Sequence, residues 1–366
     1  MRIAMVGGRG IPARAGGVER VIEELARELV ARGHEVLVYS RGDYVAGTGT
    51  PRPGEGVRVI TPGFRGKHLD AITHTATAMF DLLRRGVDVV HVHSPGPALM
   101  SWVPAAARIP IVLTVHAPDW RRDKWSAPAR LMLRAGLGLG MRLASAVTAV
   151  SQPLAEELHR RFGREVTYIP NAVRPAEPQS PNAITRWGLQ GDDYVLYIGR
   201  LVPEKRVDLL LRAWTGVEAR WKLVIVGDYQ ESDYSRRLRA GAGQRVLFLG
   251  EQFGQVAAEL YSNAAMVVQP SALEGMSMVI MEAASYGRCI LAADLPENRQ
   301  ILGDSMLYFR VDDASQLTEC ICRSLKDGAM RCALGRRAKE LVSSRYSWPQ
   351  AAQSVEKVYR EARQGT

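Results

Sequence analysis

Cysteine is missing from the first 288 residues, and the four that occur, Cys289, Cys320, Cys322 and Cys332, stand in the C-terminal half. One residue separates Cys320 from Cys322, which fits neither a CxxC redox pair nor a zinc-binding pair, so reduced structural thiols are expected. Long apolar runs are missing as well. The best candidate, residues 131–150, is interrupted by Arg134 and Arg142 and falls short of the ~18 apolar residues a membrane span requires. No DxD carboxylate pair suited to a divalent metal occurs, and His91 and His93 share a strand face without evident further ligands, so no metal is expected. No helix-turn-helix, zinc or RNA-binding signature is found, and the aromatic residues do not interleave with the basic ones, which argues against a nucleic-acid partner. Short-period repeats and low-complexity tracts are absent. The chain opens directly on the strand-like Arg2-Ile3-Ala4-Met5-Val6, so no secretory leader and a cytoplasmic location are expected.

What is present is ordinary globular composition, 46% hydrophobic and 23% charged, over 366 residues. That is long for one domain and suggests two. The net charge of +10 is unevenly spread: residues 1–175 hold 24 Lys and Arg against 15 Asp and Glu, the rest 24 against 23. The basic N-terminal half suits anionic lipid head groups or phosphorylated substrates.

Strand-like runs recur at Ile3–Val6, Glu35–Tyr39, Val57–Ile60, Val87–His91, Ile111–Val115 and Ala146–Val150. Between them lie helical patterns, the clearest over residues 18–32, with apolar side chains at Val18, Val21, Ile22, Leu25 and Leu29 before Gly33. After the proline-bearing linker 174–181 the rhythm restarts: strands are expected at Tyr194–Ile198, Lys222–Val226, Val246–Leu249, Met266–Gln269, Cys289–Ala292 and Leu307–Phe309, with a helix at Val207–Trp214. Near-continuous apolar strands alternating with helices predict an α/β chain of two doubly wound parallel-sheet domains with a cleft between them. The domains are expected at 1–172 and 173–345, with a C-terminal helix in 346–366 packing back on the first. In such sheets ligands bind beyond the carboxyl ends of the strands.

Residues that carry chemistry cluster at those ends. Glu274-Gly275-Met276-Ser277 precedes the helical run 278–286, which Gly287 is placed to end, and Glu282 lies within that helix. The unpaired amides of the helix N-terminus make a phosphate site flanked by two carboxylates, a combination suited to a nucleotide sugar. Arg200 follows a strand and Lys205 stands one loop further on, a guanidinium fork and a point charge for phosphate oxygens. After the first strand, a GxGxxA match at Gly8, Gly10 and Ala13 is rejected as a dinucleotide site because Pro12 sits in the turn and the helix starts only near Val18. Gly16 and Gly17 fit better as a loop that lets backbone amides approach an anion, with Arg9 and Arg14 adding charge. His116 ends a strand where it can bond a hydroxyl or support charge. Trp120, Arg121, Arg122, Lys124 and Trp125 mix cations with aromatics as a membrane surface or a phosphate-bearing acceptor would require.

Taken in order, Gly16-Gly17-Val18-Glu19-Arg20, His116, Ile169-Pro170-Asn171, Gly199-Arg200-Leu201 with Pro203-Glu204-Lys205, and the Glu274–Glu282 pair resemble family 4 retaining glycosyltransferases. The resemblance spans nearly the whole chain. More finely, Gly10-Ile11-Pro12-Ala13-Arg14, Asp119-Trp120-Arg121-Arg122 and Lys124-Trp125 look like the bacterial rhamnosyltransferase-like subgroup that builds surface polysaccharides. Ala15, Ala117-Pro118 and Ala172 depart from the usual pattern, the first two in the acceptor and sugar region, which leaves the transferred sugar open.

The resemblance implies the GT-B fold of two facing Rossmann-like domains and transfer from a nucleotide-diphosphate sugar to a glycan, glycolipid or lipid-linked acceptor. It implies that Arg200 and Lys205 neutralise the leaving diphosphate and Glu282 accepts from the ribose hydroxyls. Glu274 with the amides near Gly275, Met276 and Ser277 would hold sugar hydroxyls and phosphate, and His116 would contact the sugar near the reacting carbon. Asp228 would line the nucleotide pocket. Neutralising Arg200 or Lys205 is expected to depress turnover with little change in folding. Rival readings are a GT-B sugar-nucleotide epimerase or hydrolase, and a non-catalytic sugar-nucleotide-binding subunit. Peripheral attachment to the inner face of the membrane goes with a lipid-linked acceptor.

Overall fold

The computed structural model describes residues 1–13, 16–42, 44, 56–62, 70–122, 125–227 and 232–365. Arg14, Lys124 and Asp228 lie outside them. The chain divides into two compact units, Met1–Asn171 with Trp348–Thr366, and Ala172–Ser347.

The first unit is built on seven strands: β1 (Arg2–Val6), β2 (Glu35–Tyr39), β3 (Val57–Ile60), β4 (Val89–His93), β5 (Ile111–Val115), β6 (Ala146–Ala149) and β7 (Thr167–Tyr168). They lie in the order β3-β2-β1-β4-β5-β6-β7, and every described pairing is parallel. β4 and β5 are buried along their whole length, which is why they read as unbroken apolar runs rather than alternating ones. β4 begins two residues later than the expected Val87. Asp88 is drawn into the entry of β1 instead, its amide donating to the Arg2 carbonyl at 2.8 Å and its carboxylate accepting from the Arg2 amide at 2.7 Å. The shift brings His93 into the strand.

Helix Gly17–Ala31 turns Val21, Ile22, Leu25, Ala26 and Leu29 inward. The same apolar cluster takes Ala352, Val355, Val358, Tyr359 and Ala362 from the C-terminal helix Trp348–Gln364, so the last segment of the chain completes the core of the first unit. The apolar stretch 131–150 is divided between helix Ala127–Leu143 and β6. Among the described residues no helix is long and apolar enough to cross a membrane.

The second unit repeats the plan with six strands: β8 (Tyr194–Ile198), β9 (Lys222–Val226), β10 (Val246–Gly250), β11 (Met266–Gln269), β12 (Cys289–Ala293) and β13 (Leu307–Phe309). Their order is β10-β9-β8-β11-β12-β13, again parallel throughout. Helices Val207–Trp214 and Ala314–Lys326 share a core with Tyr197, Leu223, Ile225, Val268 and Leu291. In both sheets the strand order reverses after the first strand, so the switch points lie between β1 and β4 and between β8 and β11. Connections leave a doubly wound sheet in opposite directions there, which opens a crevice at the carboxyl ends.

Candidate functional site

In the second unit the switch point is furnished by two loops. The loop after β8 carries Gly199 and Arg200 and continues into a short turn of helix, Pro203–Lys205. The loop after β11 carries Glu274 and leads to helix Met278–Ser285. A backbone hydrogen bond from Ala272 to the Glu204 carbonyl, 3.0 Å, clips one loop to the other. Side chains tighten the junction. Lys205 Nζ donates to Glu274 Oε1 at 2.5 Å, and Gln269 Nε2, at the very end of β11, donates to the same oxygen at 2.9 Å. Glu274 is buried and Lys205 nearly so, with side-chain exposures of 10% and 15%. Burial alone would raise the Glu274 pKa; the Lys205 charge and the hydrogen bonds from Lys205 and Gln269 outweigh it and hold the carboxyl below its ordinary value. Glu274 is thus an ionised carboxylate at neutral pH, and Lys205 is a cation fixed in place rather than swinging on its stem.

Ser277 caps the helix, its hydroxyl accepting from the Ile280 amide at 3.4 Å. Gly275, Met276 and Ser277 are buried around that N-terminus, where first-turn amides have no partner within the helix. Glu282 sits one turn further on with Tyr261 donating to its Oε2 at 2.8 Å; the Tyr261 and Tyr286 rings stack 5.4 Å apart. Arg200 is half-buried, and its carbonyl accepts from Tyr197 at 3.0 Å, which fixes the backbone where the side chain emerges. Arg200, Lys205, Glu274, Gly275–Ser277 and Glu282 therefore border one switch point. The amide of Gln269 is the residue the sequence reading missed; a polar side chain ending the otherwise apolar β11 was its signal.

The first unit has its own polar centre at the carboxyl ends of β4 and β5. His116, buried, follows β5, and its Nε2 lies 3.0 Å from His93 Nδ1. The His91 ring stands 4.0 Å from the His93 ring, with His91 Nδ1 2.6 Å from the Tyr359 hydroxyl and Nε2 2.6 Å from Thr114 Oγ1; Thr114 in turn bonds Thr148 at 2.6 Å. A cavity of about 20 Å³ is lined by these three histidines together with Asn171, Val355 and Trp348. Burial disfavours the imidazolium and pushes His91 down to about 3 and His116 to about 4, the Glu19 carboxylate pulling the latter the other way; His93 is held well below its ordinary value by the same burial. All three are neutral imidazoles at physiological pH.

Around the first switch point the expectation changes. Gly16 begins the helix in a positive-φ conformation, 103°, and a β-carbon there would fall 2.2 Å from Glu19 Oε2. The Glu19 carboxylate, paired with Arg9 at 2.9 Å, occupies the space assigned to an anion beside Gly16, and Arg9 spends its charge on that pair. Gly17 is exposed. Trp120, expected to face an acceptor or membrane, is instead 3% exposed and part of the core, because the short turn Asp119–Arg121 folds it inward under Arg161. Arg121 pairs with Glu157 and Arg122 with Asp119. Trp125 is at the surface.

These features define a two-unit α/β protein of doubly wound parallel sheets, with a buried Lys205–Glu274 pair at the switch point of one unit and a neutral histidine centre in the other. Comparison with known proteins gives the family. The model of Glycosyltransferase Family 4 matches residues 15–177, and that of Glycosyl transferases group 1 matches residues 192–327. The chain is 27% identical to the phosphatidyl-myo-inositol mannosyltransferase of Mycolicibacterium smegmatis over 94% of its own length and 90% of that protein. Its fold is similar to a sucrose-phosphate synthase from Thermosynechococcus elongatus, TM-score 0.83 at 23% identity over 98% of each chain. It is similar also to Anabaena HepE solved with UDP and glucose, TM-score 0.81 at 21% identity, covering 98% of this chain and 99% of that one. The chain belongs to the family 4 glycosyltransferases and has the GT-B fold.

Proposed function

We propose that this glycosyltransferase is a retaining enzyme that moves a hexose-type sugar from a nucleotide-diphosphate sugar to a hydroxyl of a glycan, glycolipid or lipid-linked acceptor in bacterial polysaccharide or glycoconjugate synthesis. The observation that carries the reading is the second-unit switch point, where a fixed ammonium, a guanidinium and a capped helix N-terminus share one crevice with two carboxylates. Arg200 and Lys205 offset the charge that builds on the departing diphosphate, a task that elsewhere falls to a divalent cation. The helix N-terminus adds amides and a partial positive charge. Glu282, steadied by Tyr261, accepts from ribose hydroxyls, and Glu274 accepts from the sugar. Donors held in place before the reaction cost no reorganisation during it, and loss of one such group commonly costs ~2.7–4 kcal/mol in the barrier.

In this scheme the diphosphate takes the acceptor proton on the face from which it departs, so configuration is kept; His116, neutral, hydrogen-bonds the sugar near the reacting carbon. The glycine-rich and Trp-Arg motifs favour the rhamnosyltransferase-like subgroup, and the basic first half favours an anionic membrane or phosphate-bearing acceptor.

A thermal-shift screen against UDP, dTDP, GDP and ADP tests the donor reading, since a ligand that binds only the folded state raises the melting point. HepE, captured with UDP and glucose, makes UDP the first to try. One nucleotide is expected to raise Tm in the native protein and not in Arg200→Ala; equal shifts in both contradict the assignment. Donor incubated alone should stay unchanged, and conversion to a new sugar nucleotide would favour an epimerase or hydrolase.

A further inference from the structure

His116 does not stand alone in the first unit. Its Nε2 faces His93 Nδ1 at 3.0 Å, the two rings nearly parallel with centroids 5.2 Å apart. His93 is the last residue of β4 and is fully buried, and the parallel register sets it opposite Thr114, two residues before His116. On its other face lies His91, itself bonded to Tyr359 and Thr114 through both nitrogens. His93 is thus clamped between two imidazoles. Its remaining nitrogen, Nε2, has no hydrogen-bond partner among the described residues, and its side chain lines the cavity of about 20 Å³, room for one water.

A hydrogen bond between two neutral imidazoles has one N–H to share. Whichever ring donates, the other must present a lone pair, so the state of His93 Nδ1 decides which nitrogen of His116 carries the proton. We infer that His93 is a positioning residue that fixes the ring plane of His116 and couples the tautomer of His116 to its own, with a water in the cavity satisfying His93 Nε2. The inference rests on the proposed contact of His116 with the sugar, because only then does its proton placement govern transfer. No other side chain bonds His116 Nε2 among the described residues. Without His93 the imidazole is free to rotate and to exchange tautomers, and a group needed as donor becomes an acceptor part of the time.

The test uses His93→Leu and His93→Asn. Leucine fills the space and removes the bond; asparagine offers an amide nitrogen or oxygen near the position of Nδ1. With 15N-labelled histidine, the intact protein is expected to show His116 as one tautomer from pH 6 to 8, His93→Leu a mixture, and His93→Asn one tautomer again. Turnover should fall about 10- to 100-fold in His93→Leu with little change in donor KM, and recover in part in His93→Asn. Nucleotide binding, read by thermal shift, stays unchanged in both variants because it depends on the second unit. A single unchanged His116 tautomer in folded His93→Leu overturns the inference. Absence of nucleotide binding in the unmodified protein overturns the donor reading instead, and the tautomer result stands independently of it. Should His93→Leu not fold, His93→Asn alone decides: a mixed His116 tautomer there, with the melting point preserved, also overturns it.

Discussion

Lys205 shows what a side chain alone does not disclose. Read in sequence, it is a loop cation whose removal touches only turnover. In the structure it neutralises a buried carboxylate that Gln269 also holds, so Lys205→Ala should strand the Glu274 charge. We predict a loss of about 3 kcal/mol in urea-unfolding free energy, together with lost donor binding, for Lys205→Ala. Lys205→Ala/Glu274→Gln should regain much of the stability and none of the activity; a single variant as stable as the parent contradicts the geometry. The sign with pH follows. Glu274 has its folded pKa held below its ordinary value, so its contribution is complete above about 4.5, the ordinary glutamate pKa, and lost as pH falls through the lower folded value. The histidines act in another window. His91 and His116 are pushed down to about 3 and about 4 from an ordinary 6.5. Between pH 6.5 and 4 the unfolded chain binds protons that the folded centre refuses, so stability falls on acidification at up to ~1.4 kcal/mol per pH unit for each such histidine. Urea midpoints at pH 7 and pH 5 should differ, and His116→Asn should flatten the slope; an unchanged slope contradicts the buried, neutral assignment.

Elements were more legible than contacts. β2, β3, β5, β8, β9, β11 and β13 fall at the expected residues, as does helix Val207–Trp214, because turn residues bound these runs sharply and the central strands, covered on both faces, are apolar along most of their length. β4 was displaced by two residues because Asp88 has a partner in β1 that no local pattern reveals. Trp120 was misplaced for a similar reason: a tryptophan among arginines reads as surface, and only the inward turn after β5 buries it. The polar centres were least legible. Tyr359 meets His91 across 268 residues, and Tyr261 meets Glu282 across 21, separations at which spacing carries no signal. Close element packing gives a test. Helix Gly328–Arg345 runs so near the end of helix Met278–Ser285 that a β-carbon on Gly335 would lie 2.0 Å from the Gly287 carbonyl oxygen. Gly335→Ala should therefore lower stability by about 1–3 kcal/mol and weaken donor binding by disturbing the helix that carries Glu282. Unchanged thermal unfolding in that variant contradicts the packing.

For the molecule as a whole, the two units share a strand order but differ in charge and in their polar centres. The first is basic and holds a neutral histidine centre; the second is nearly balanced in charge and sets Lys205 in a buried pair with Glu274 at its switch point. Basic charge spread over a surface suits an anionic acceptor, while cations fixed beside a helix N-terminus suit a diphosphate. Sedimentation with phosphatidylglycerol vesicles at low salt should carry the enzyme down and high salt should release it; indifference to the vesicles counts against a lipid-linked acceptor. The seat of the donor is decided by a crystal structure with the nucleoside diphosphate chosen by the thermal-shift screen. Phosphate oxygens are expected within ~3.2 Å of Arg200, Lys205 and the backbone amides at 275–278, with the ribose on Glu282. A diphosphate bound elsewhere, with Arg200 and Lys205 untouched, would contradict that placement.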